Sequence, residues 1–162
     1  MIRSIRVVCH ADVEDSRAVA VAVIVISTPG CDIRVRPVLP ALLVSFNTLA
    51  GELEAASLRL PHAMAAVPFD IAHAQAILAF VTAMQQQVQE LDLQVYESGG
   101  YSRSVTVARW LARRFGYPLH EPATAAAAAS CTLMEAVLHD LPRTMQPVAH
   151  PALVALEPEL QA

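Results

Sequence analysis

The sequence predicts an α/β domain in which a mostly parallel central sheet is covered by helices on both faces, a three-layer α/β/α arrangement. Segments with strand character alternate along the chain with segments of helical spacing. The segment from Val21 to Ile26 is apolar at every position, which is typical of a strand buried on both faces. Interleaved strands and helices with such a strand among them indicate the α/β class.

The composition is that of one folded domain followed by a tail. The chain has 162 residues, of which 55% are hydrophobic and 16% charged, so it has enough apolar surface for a sizeable core and too little charge for a disordered chain. Four prolines occur from Pro142 onward. We therefore expect one domain over residues 1–141 and a proline-rich tail over residues 142–162.

Charge and cysteine content limit the expected partners and location. The net charge is −4, and the eleven basic residues, all arginine, form no run, so no nucleic-acid partner is expected. The apolar run Ala18 to Ile26 is shorter than the roughly 20 residues that span a bilayer, so no membrane partner is expected either. Three widely spaced cysteines are not a disulfide framework. Because acidic residues precede the apolar run, no signal peptide is indicated, and we expect a cytoplasmic protein.

The first half of the chain predicts three strands. Ser4 to Cys9 has the β-branched character of a first strand, Val21 to Ile26 is the second, and Ala41 to Phe46 is a third, short and buried. Asp12 to Ala18 predicts a turn or a short helix. Asn47 to Val67 leaves helix and loop open, because helix-forming residues there are followed by prolines.

The second half predicts three helices around one further strand. A helix from Ile71 to Gln89 begins after Asp70, a good N-cap, and carries one apolar stripe consisting of Ala74, Ile77, Leu78, Val81, Met84 and Val88. A strand follows from Leu91 to Tyr96. The next helix runs from Ser102 to Phe115, where Gly116 and Pro118 end it, and the last covers Thr132 to Leu138.

The stretch between the fourth strand and its following helix has the features of an anion-binding loop. Gly99 and Gly100 turn the chain where a strand ends and a helix begins, so amides at the helix N-terminus point outward. Arg103 adds a planar cation suited to a phosphate-sized anion. In parallel sheets the ligand crevice lies at the carboxyl ends of the strands, and this loop is at such an end.

The residues from Val95 to Ala108 resemble the signature loop of the cysteine-dependent protein tyrosine phosphatases, in particular the small bacterial dual-specificity-like members. The pattern of that family is Val-His-Cys-x-x-Gly-x-Ser-Arg-Ser, followed by a helix rich in alanine and valine. Residues 68–81 resemble the helix before the signature strand of that group, and residues 25–30 resemble an early strand and turn. The resemblance covers residues 23–138 and is most specific in the loop.

The resemblance implies a phosphate loop without its catalytic groups. Eight residues would form the loop: Glu97, Ser98, Gly99, Gly100, Tyr101, Ser102, Arg103 and Ser104. Arg103 falls on the phosphate-clamping arginine of the family and Ser104 on the hydroxyl partner of its thiolate. Glu97 falls on the nucleophilic cysteine, and Asn47 and Thr48 fall where the family has the aspartate that acts as general acid. A carboxylate is a far poorer nucleophile toward a phosphate monoester than a thiolate, and enzymes that use one generally recruit a metal.

We therefore expect no catalytic residue, no metal and no cofactor, and three functional interpretations follow. The first is a catalytically inactive phosphatase-like domain, a pseudophosphatase, that binds a protein partner or its own copy while Glu97 occludes the phosphate loop. The second is a phosphoric monoester hydrolase with unusual chemistry, in which Glu97 is base or nucleophile. The third is a structural α/β module. An anion is expected in the loop only if Glu97 turns outward.

Several of these residues also have purely structural interpretations. Gly99 and Gly100 followed by Ser102 fit a simple strand-to-helix turn with an N-cap. Arg103 paired with Glu97 fits a structural ion pair, which is compatible with the occluded loop. Trp110 fits either a recognition surface or the core.

Overall fold

The computed structural model describes residues 1–8, 20–29, 39–46, 67–97 and 100–142. These residues form five strands, β1 (Ile2–Val8), β2 (Ala20–Ser27), β3 (Ala41–Ser45), β4 (Leu91–Glu97) and β5 (Leu119–His120). They also form four helices, α1 (Ile71–Gln85), α2 (Ser102–Phe115), α3 (Ala123–Ala126) and α4 (Thr132–His139).

The strands form one sheet in the order β3-β2-β4-β1-β5. All four neighbouring pairs are parallel, which confirms the predicted α/β class with a mostly parallel sheet and is compatible with a three-layer arrangement. β4 lies at the centre, where Glu97 is level with Ile26 of β2 and Tyr96 is level with Val8 of β1. The carboxyl end of β4 therefore lies between the carboxyl ends of two neighbouring strands.

Both faces of the sheet are buried. Apolar residues of α1, α2 and α4 pack in one cluster with alternate strand residues such as Ile24 and Leu93. The intervening strand residues form a second cluster on the opposite face, consisting of Val8, Val21, Val23, Val25 and Tyr96. The predicted double burial of β2 is confirmed, because seven of its eight residues are buried.

The three predicted helices begin at the expected residues, and the last of them, α4, begins at Thr132. Asp70 caps α1 by accepting a hydrogen bond from the main-chain N–H of His73, as predicted. α2 begins at Ser102 and ends at Phe115, and Gly116 adopts the left-handed conformation at φ 74° that glycine accommodates without a Cβ clash.

The structure differs from the sequence prediction in several local features, and one of them is the start of β1, which lies at Ile2 rather than Ser4. α1 ends at Gln85 rather than Gln89, and Val88 is fully exposed instead of continuing the buried stripe. β5 and the short helix α3 were not predicted, because a two-residue strand and a four-residue helix are too short for a recognisable period. Trp110 belongs to the core cluster, which favours the second of its two interpretations.

Several predictions concern residues outside the described ranges. They include Cys9, the turn or short helix from Asp12 to Ala18, and the ambiguous stretch from Asn47 onward as far as residue 66. Pro142 is the last residue described, so the separate C-terminal tail stays a prediction. No helix in the described part of the chain has the length and apolar character needed to cross a bilayer.

Candidate functional site

The candidate site lies where β4 ends and α2 begins. Glu97 is the last residue of β4, and α2 starts at Ser102. Gly100 has a φ of 153°, a region of backbone conformation that residues with a Cβ rarely adopt. The glycine at this position of the sequence therefore suits the turn that leads from the strand to the helix.

The Glu97 carboxylate points into the start of α2. Its Oε2 atom accepts hydrogen bonds from the main-chain N–H of Arg103 at 2.9 Å and of Ser104 at 3.1 Å. These are two of the amides that a helix cannot satisfy internally. The N-cap position is Tyr101 rather than Ser102, and Tyr101 makes no side-chain capping bond. Glu97 thus caps the helix from the preceding strand, where its negative charge is also favoured by the helix dipole.

The same carboxylate pairs with the guanidinium of Arg103. The Nε atom of Arg103 donates to Oε1 of Glu97 at 2.6 Å. Both side chains are buried, with 7% of Arg103 and 5% of Glu97 exposed. Because the carboxylate receives three hydrogen bonds and one opposing charge away from water, the pair is a fixed part of the fold.

Arg103 also joins the ends of two other strands. Its Nη1 atom donates to the carbonyl oxygen of Phe46 at 3.1 Å and, at 3.4 Å, to that of Ser27. The guanidinium carbon lies 5.7 Å from the centroid of the Phe46 ring, within the range of a cation–π contact. Arg103 therefore connects the carboxyl ends of β2, β3 and β4.

An aromatic cluster lies beside this arginine. The Phe46 ring meets the Phe69 ring edge to face, with centroids 4.8 Å apart. The His73 ring lies 5.5 Å from Phe46 and 5.7 Å from Phe69. His73 Nδ1 is 2.7 Å from a carboxylate oxygen of Asp70. Burial raises the pKa of the Asp70 carboxyl, but hydrogen bonds from the His73 main chain and ring and the charge of His73 outweigh it, so the pKa lies below its usual value.

Hydroxyl groups hold the first turns of α2. Ser104 Oγ donates to the carbonyl of Tyr101 at 3.1 Å. Thr106 Oγ1 donates to the carbonyl of Ser102 at 2.6 Å and accepts from the main-chain N–H of Cys131 at 2.7 Å. Thr106 thereby ties the start of α4 to α2, which fixes the helix that presents its amides to Glu97.

Five of the eight predicted loop residues make hydrogen bonds at the start of α2. Glu97, Arg103 and Ser104 are in direct contact, while Tyr101 and Ser102 contribute main-chain carbonyls to the first turns. Ser98, Gly99 and Asn47 lie outside the described residues.

Two groups at the site were missed by sequence reasoning. They are the main-chain carbonyls of Ser27 and Phe46, which accept from Arg103. Every residue has a main-chain carbonyl, so the residue type does not show which carbonyl will accept a hydrogen bond. The sequence indicated only that these residues lie near the ends of predicted strands.

Among the described residues, Glu97 has the only carboxylate at the helix start. This carboxylate is buried, and both of its oxygens accept hydrogen bonds. Within those same ranges, no group of three or more histidine, cysteine, aspartate or glutamate side chains could hold a metal ion. The geometry is that of a helix N-terminus and an arginine already paired with an internal anion.

Comparisons of the chain with protein-family models, with curated proteins and with solved structures found no match. The phosphatase resemblance therefore rests on the residues of the loop and the segments named with it.

Proposed function

We propose that the protein is a catalytically inactive phosphatase-like domain that acts as a binding or scaffold module. The observation that carries the proposal is the position of the Glu97 carboxylate. It accepts from the amides of Arg103 and Ser104 and from the Arg103 guanidinium, the groups that the resemblance implies for binding phosphate. The loop thus carries its own anion.

Chemistry argues against turnover at this loop. By the resemblance, Glu97 stands in place of the attacking thiolate and Asn47 in place of the general acid. The Glu97 side chain is 5% exposed and hydrogen-bonded, so its oxygens are poorly placed to attack phosphorus in addition to being weak nucleophiles toward it.

Electrostatics argue against tight phosphate binding. A phosphate entering the loop would lie about 4 Å from the carboxylate, where like charges repel by ~4 kcal/mol per unit charge at an effective dielectric of about 20. That repulsion corresponds to roughly a thousandfold loss of affinity. The loop also lacks a free guanidinium edge at Nε, because Arg103 Nε donates to Glu97.

A hydrolysis assay tests the absence of activity. The full chain is incubated with an aryl phosphate, with and without added divalent metal, beside the Glu97→Gln variant. We expect no turnover by either protein. Turnover by the natural chain that disappears in Glu97→Gln would instead support the hydrolase interpretation, in which Glu97 is base or nucleophile.

A binding assay tests occlusion separately from chemistry. We expect no binding of inorganic phosphate or sulfate at micromolar concentration by the natural chain, measured by calorimetry. Glu97→Ala removes the competing charge while leaving both amides and the arginine, and we expect it to bind either anion more tightly. Micromolar affinity with Glu97 in place would contradict occlusion.

Restoring the thiol tests the inherited geometry. We expect Glu97→Cys to form a covalent phosphoenzyme with an aryl phosphate and to hydrolyse it slowly, because the Asn47 amide can neither protonate the leaving oxygen nor take a proton from the attacking water. Mass spectrometry detects the adduct, and Glu97→Ser is the matched control with a weaker nucleophile. Failure to form the adduct would show that the loop geometry differs from that of a phosphatase.

The binding role predicts a partner. Light scattering and affinity capture with the full chain should reveal either a homo-oligomer or a specific protein partner. A clean monomer that captures nothing would leave the structural α/β module as the better interpretation.

A further inference from the structure

A cleft lies between α2 and α4, at the end of α2 remote from Glu97. Its volume is about 1130 Å³, and Trp110, Phe115 and Leu138 provide its apolar surface. Arg113, Arg114, Glu135 and His139 provide its polar groups. An apolar surface with a few charged groups is the usual composition of a ligand or peptide site.

The apolar surface of the cleft is held in place by its own hydrogen bonds. Trp110 Nε1 donates to the carbonyl of Leu138 at 3.1 Å, which fixes the indole between the two helices. The Arg114 guanidinium lies 5.5 Å from the centroid of the Trp110 ring. It also donates to the carbonyl of Pro142 at 2.8 Å. Arg114 therefore positions the chain as it leaves α4 at the rim of the cleft.

Arg113 provides a cation on this rim, and its positive charge is only weakly neutralised by a neighbouring carboxylate. Its side chain is 69% exposed, and its contact with the Glu135 carboxylate is long, at 3.9 Å. An exposed pair at that distance contributes little. With Arg114 beside it and Glu135 as the acidic residue lining the cleft, the charged groups of the cleft favour an anionic occupant.

The chain that continues from Pro142 has the complementary chemistry. Residues 152–156 are an apolar run, Ala-Leu-Val-Ala-Leu, followed by Glu157 and Glu159. Leu153 is eleven residues beyond Pro142, and that length reaches up to about 36 Å when extended. Since α4 has eight residues and is about 12 Å long, the run can return to the cleft.

We propose that this cleft is the docking site of the chain's own C-terminal segment. Leu153 and Leu156 contact the apolar surface around Trp110, and Glu157 pairs with Arg113. The tether through Pro142 makes the association intramolecular, which raises the effective concentration to the millimolar range for a short linker. Weak contacts are then sufficient. This proposal is independent of the phosphatase-like function.

The fluorescence of Trp110 tests the proposal, because it is the only tryptophan of the chain. In the full chain, Leu153→Asp together with Leu156→Asp should undock the segment, raise acrylamide quenching of Trp110 and shift its emission to longer wavelength. Thr144→Asp with Gln146→Asp adds the same charge outside the apolar run and should leave both readouts unchanged. Equal quenching in the two double variants would overturn the proposal.

A charge exchange tests the pairing. Arg113→Glu is at an exposed position, so the fold should tolerate it, and it should raise quenching as the tail variant does. Adding Glu157→Arg should restore protection. Failure of the second substitution to restore protection would overturn the pairing. Quenching that rises on dilution of the natural chain would show that a second copy supplies the segment, which would overturn intramolecular docking.

Discussion

β4 carries a buried carboxylate near each of its ends, and the two are neutralised in different ways. At the carboxyl end, Glu97 is bonded to main-chain amides and to Arg103, whose side chain is only 7% exposed. Near the amino end, Asp92 accepts hydrogen bonds from Ser4 and from Arg3, and lies 3.4 Å from Arg6. The two arginine side chains at this end are about half exposed, at 50% and 48%.

The difference lies in which groups compensate the charge. Both carboxylate side chains are 5% exposed, so burial of the acid alone does not separate them. The partners of Glu97 are fixed by the fold and shielded from water, where an electrostatic interaction is strong and an unpaired charge costs most. The arginines around Asp92 are solvated and screened by salt. Glu97 is therefore an integral part of its site, whereas Asp92 reinforces the pairing of two strands.

The largest expected effect comes from breaking the buried pair. Glu97→Ala leaves the Arg103 charge buried and two helix amides without a partner, and should lower the free energy of unfolding by about 3–5 kcal/mol. Urea denaturation measures the change. Glu135→Ala is the matched control, since its carboxylate is 42% exposed and 3.9 Å from its arginine, and its loss should stay below about 1 kcal/mol. Equal losses would refute the structural role of Glu97.

A smaller effect is expected at the other end of β4. Asp92→Asn keeps the size of the side chain but removes its charge, so the bonds from Arg3 and Ser4 lose their charge-assisted strength. We expect a loss of about 1–3 kcal/mol in the free energy of unfolding. If the loss exceeded that of Glu97→Ala in the same urea series, Asp92 rather than Glu97 would be the more important carboxylate for stability.

Lowering the pH should remove the stabilising contribution of Asp92 to the fold. Burial raises the pKa of its carboxyl, but hydrogen bonds from Arg3 and Ser4 and the charges of Arg3 and Arg6 outweigh burial and hold the pKa below its usual value. A depressed pKa contributes stability that is present above the unfolded value of about 3.9 and is lost as the pH falls through the folded value.

The natural chain should therefore lose stability more steeply than Asp92→Asn between about pH 5 and pH 2. Urea midpoints across that range measure the two slopes. The Asp70 carboxyl, whose pKa is also lowered, supplies part of the remaining slope in both proteins. Parallel curves for the two proteins would show that Asp92 does not contribute to the loss of stability at low pH.

The contrast between the two ends also shows which features the sequence could predict. Glu97 and Arg103 are six positions apart, across a glycine turn with a strand before it and a helix after it. The local sequence pattern was therefore sufficient to place Glu97 and Arg103 together at the start of one helix. The bounds of α2 were predictable for the same reason, because a glycine turn before the helix, an apolar period within it and a terminal glycine agree.

Asp92 and its arginines were not predictable, since Arg3 and Asp92 are 89 positions apart. Their contact depends on the parallel pairing of β1 with β4 and on an irregularity between Ile2 and Ser4, where Arg3 is the extra residue. The contacts of Arg103 with Ser27 and Phe46 depend on strand order in the same way. Long-range pairing is decided by the whole sheet, and no short pattern encodes it.

Salt gives the smallest and most discriminating change. Raising the salt concentration from about 0.1 M to 1 M shortens the screening length from about 10 Å to about 3 Å. The penalty of Asp92→Asn should shrink, because its arginines are half exposed. The penalty of Glu97→Ala should persist, because ions do not enter between two side chains that are 5% and 7% exposed. Paired urea titrations at the two salt concentrations measure both penalties. If both shrank equally, Glu97 would be solvated, and an internal anion so exposed could be displaced by phosphate, which would undermine the occluded loop along with the comparison.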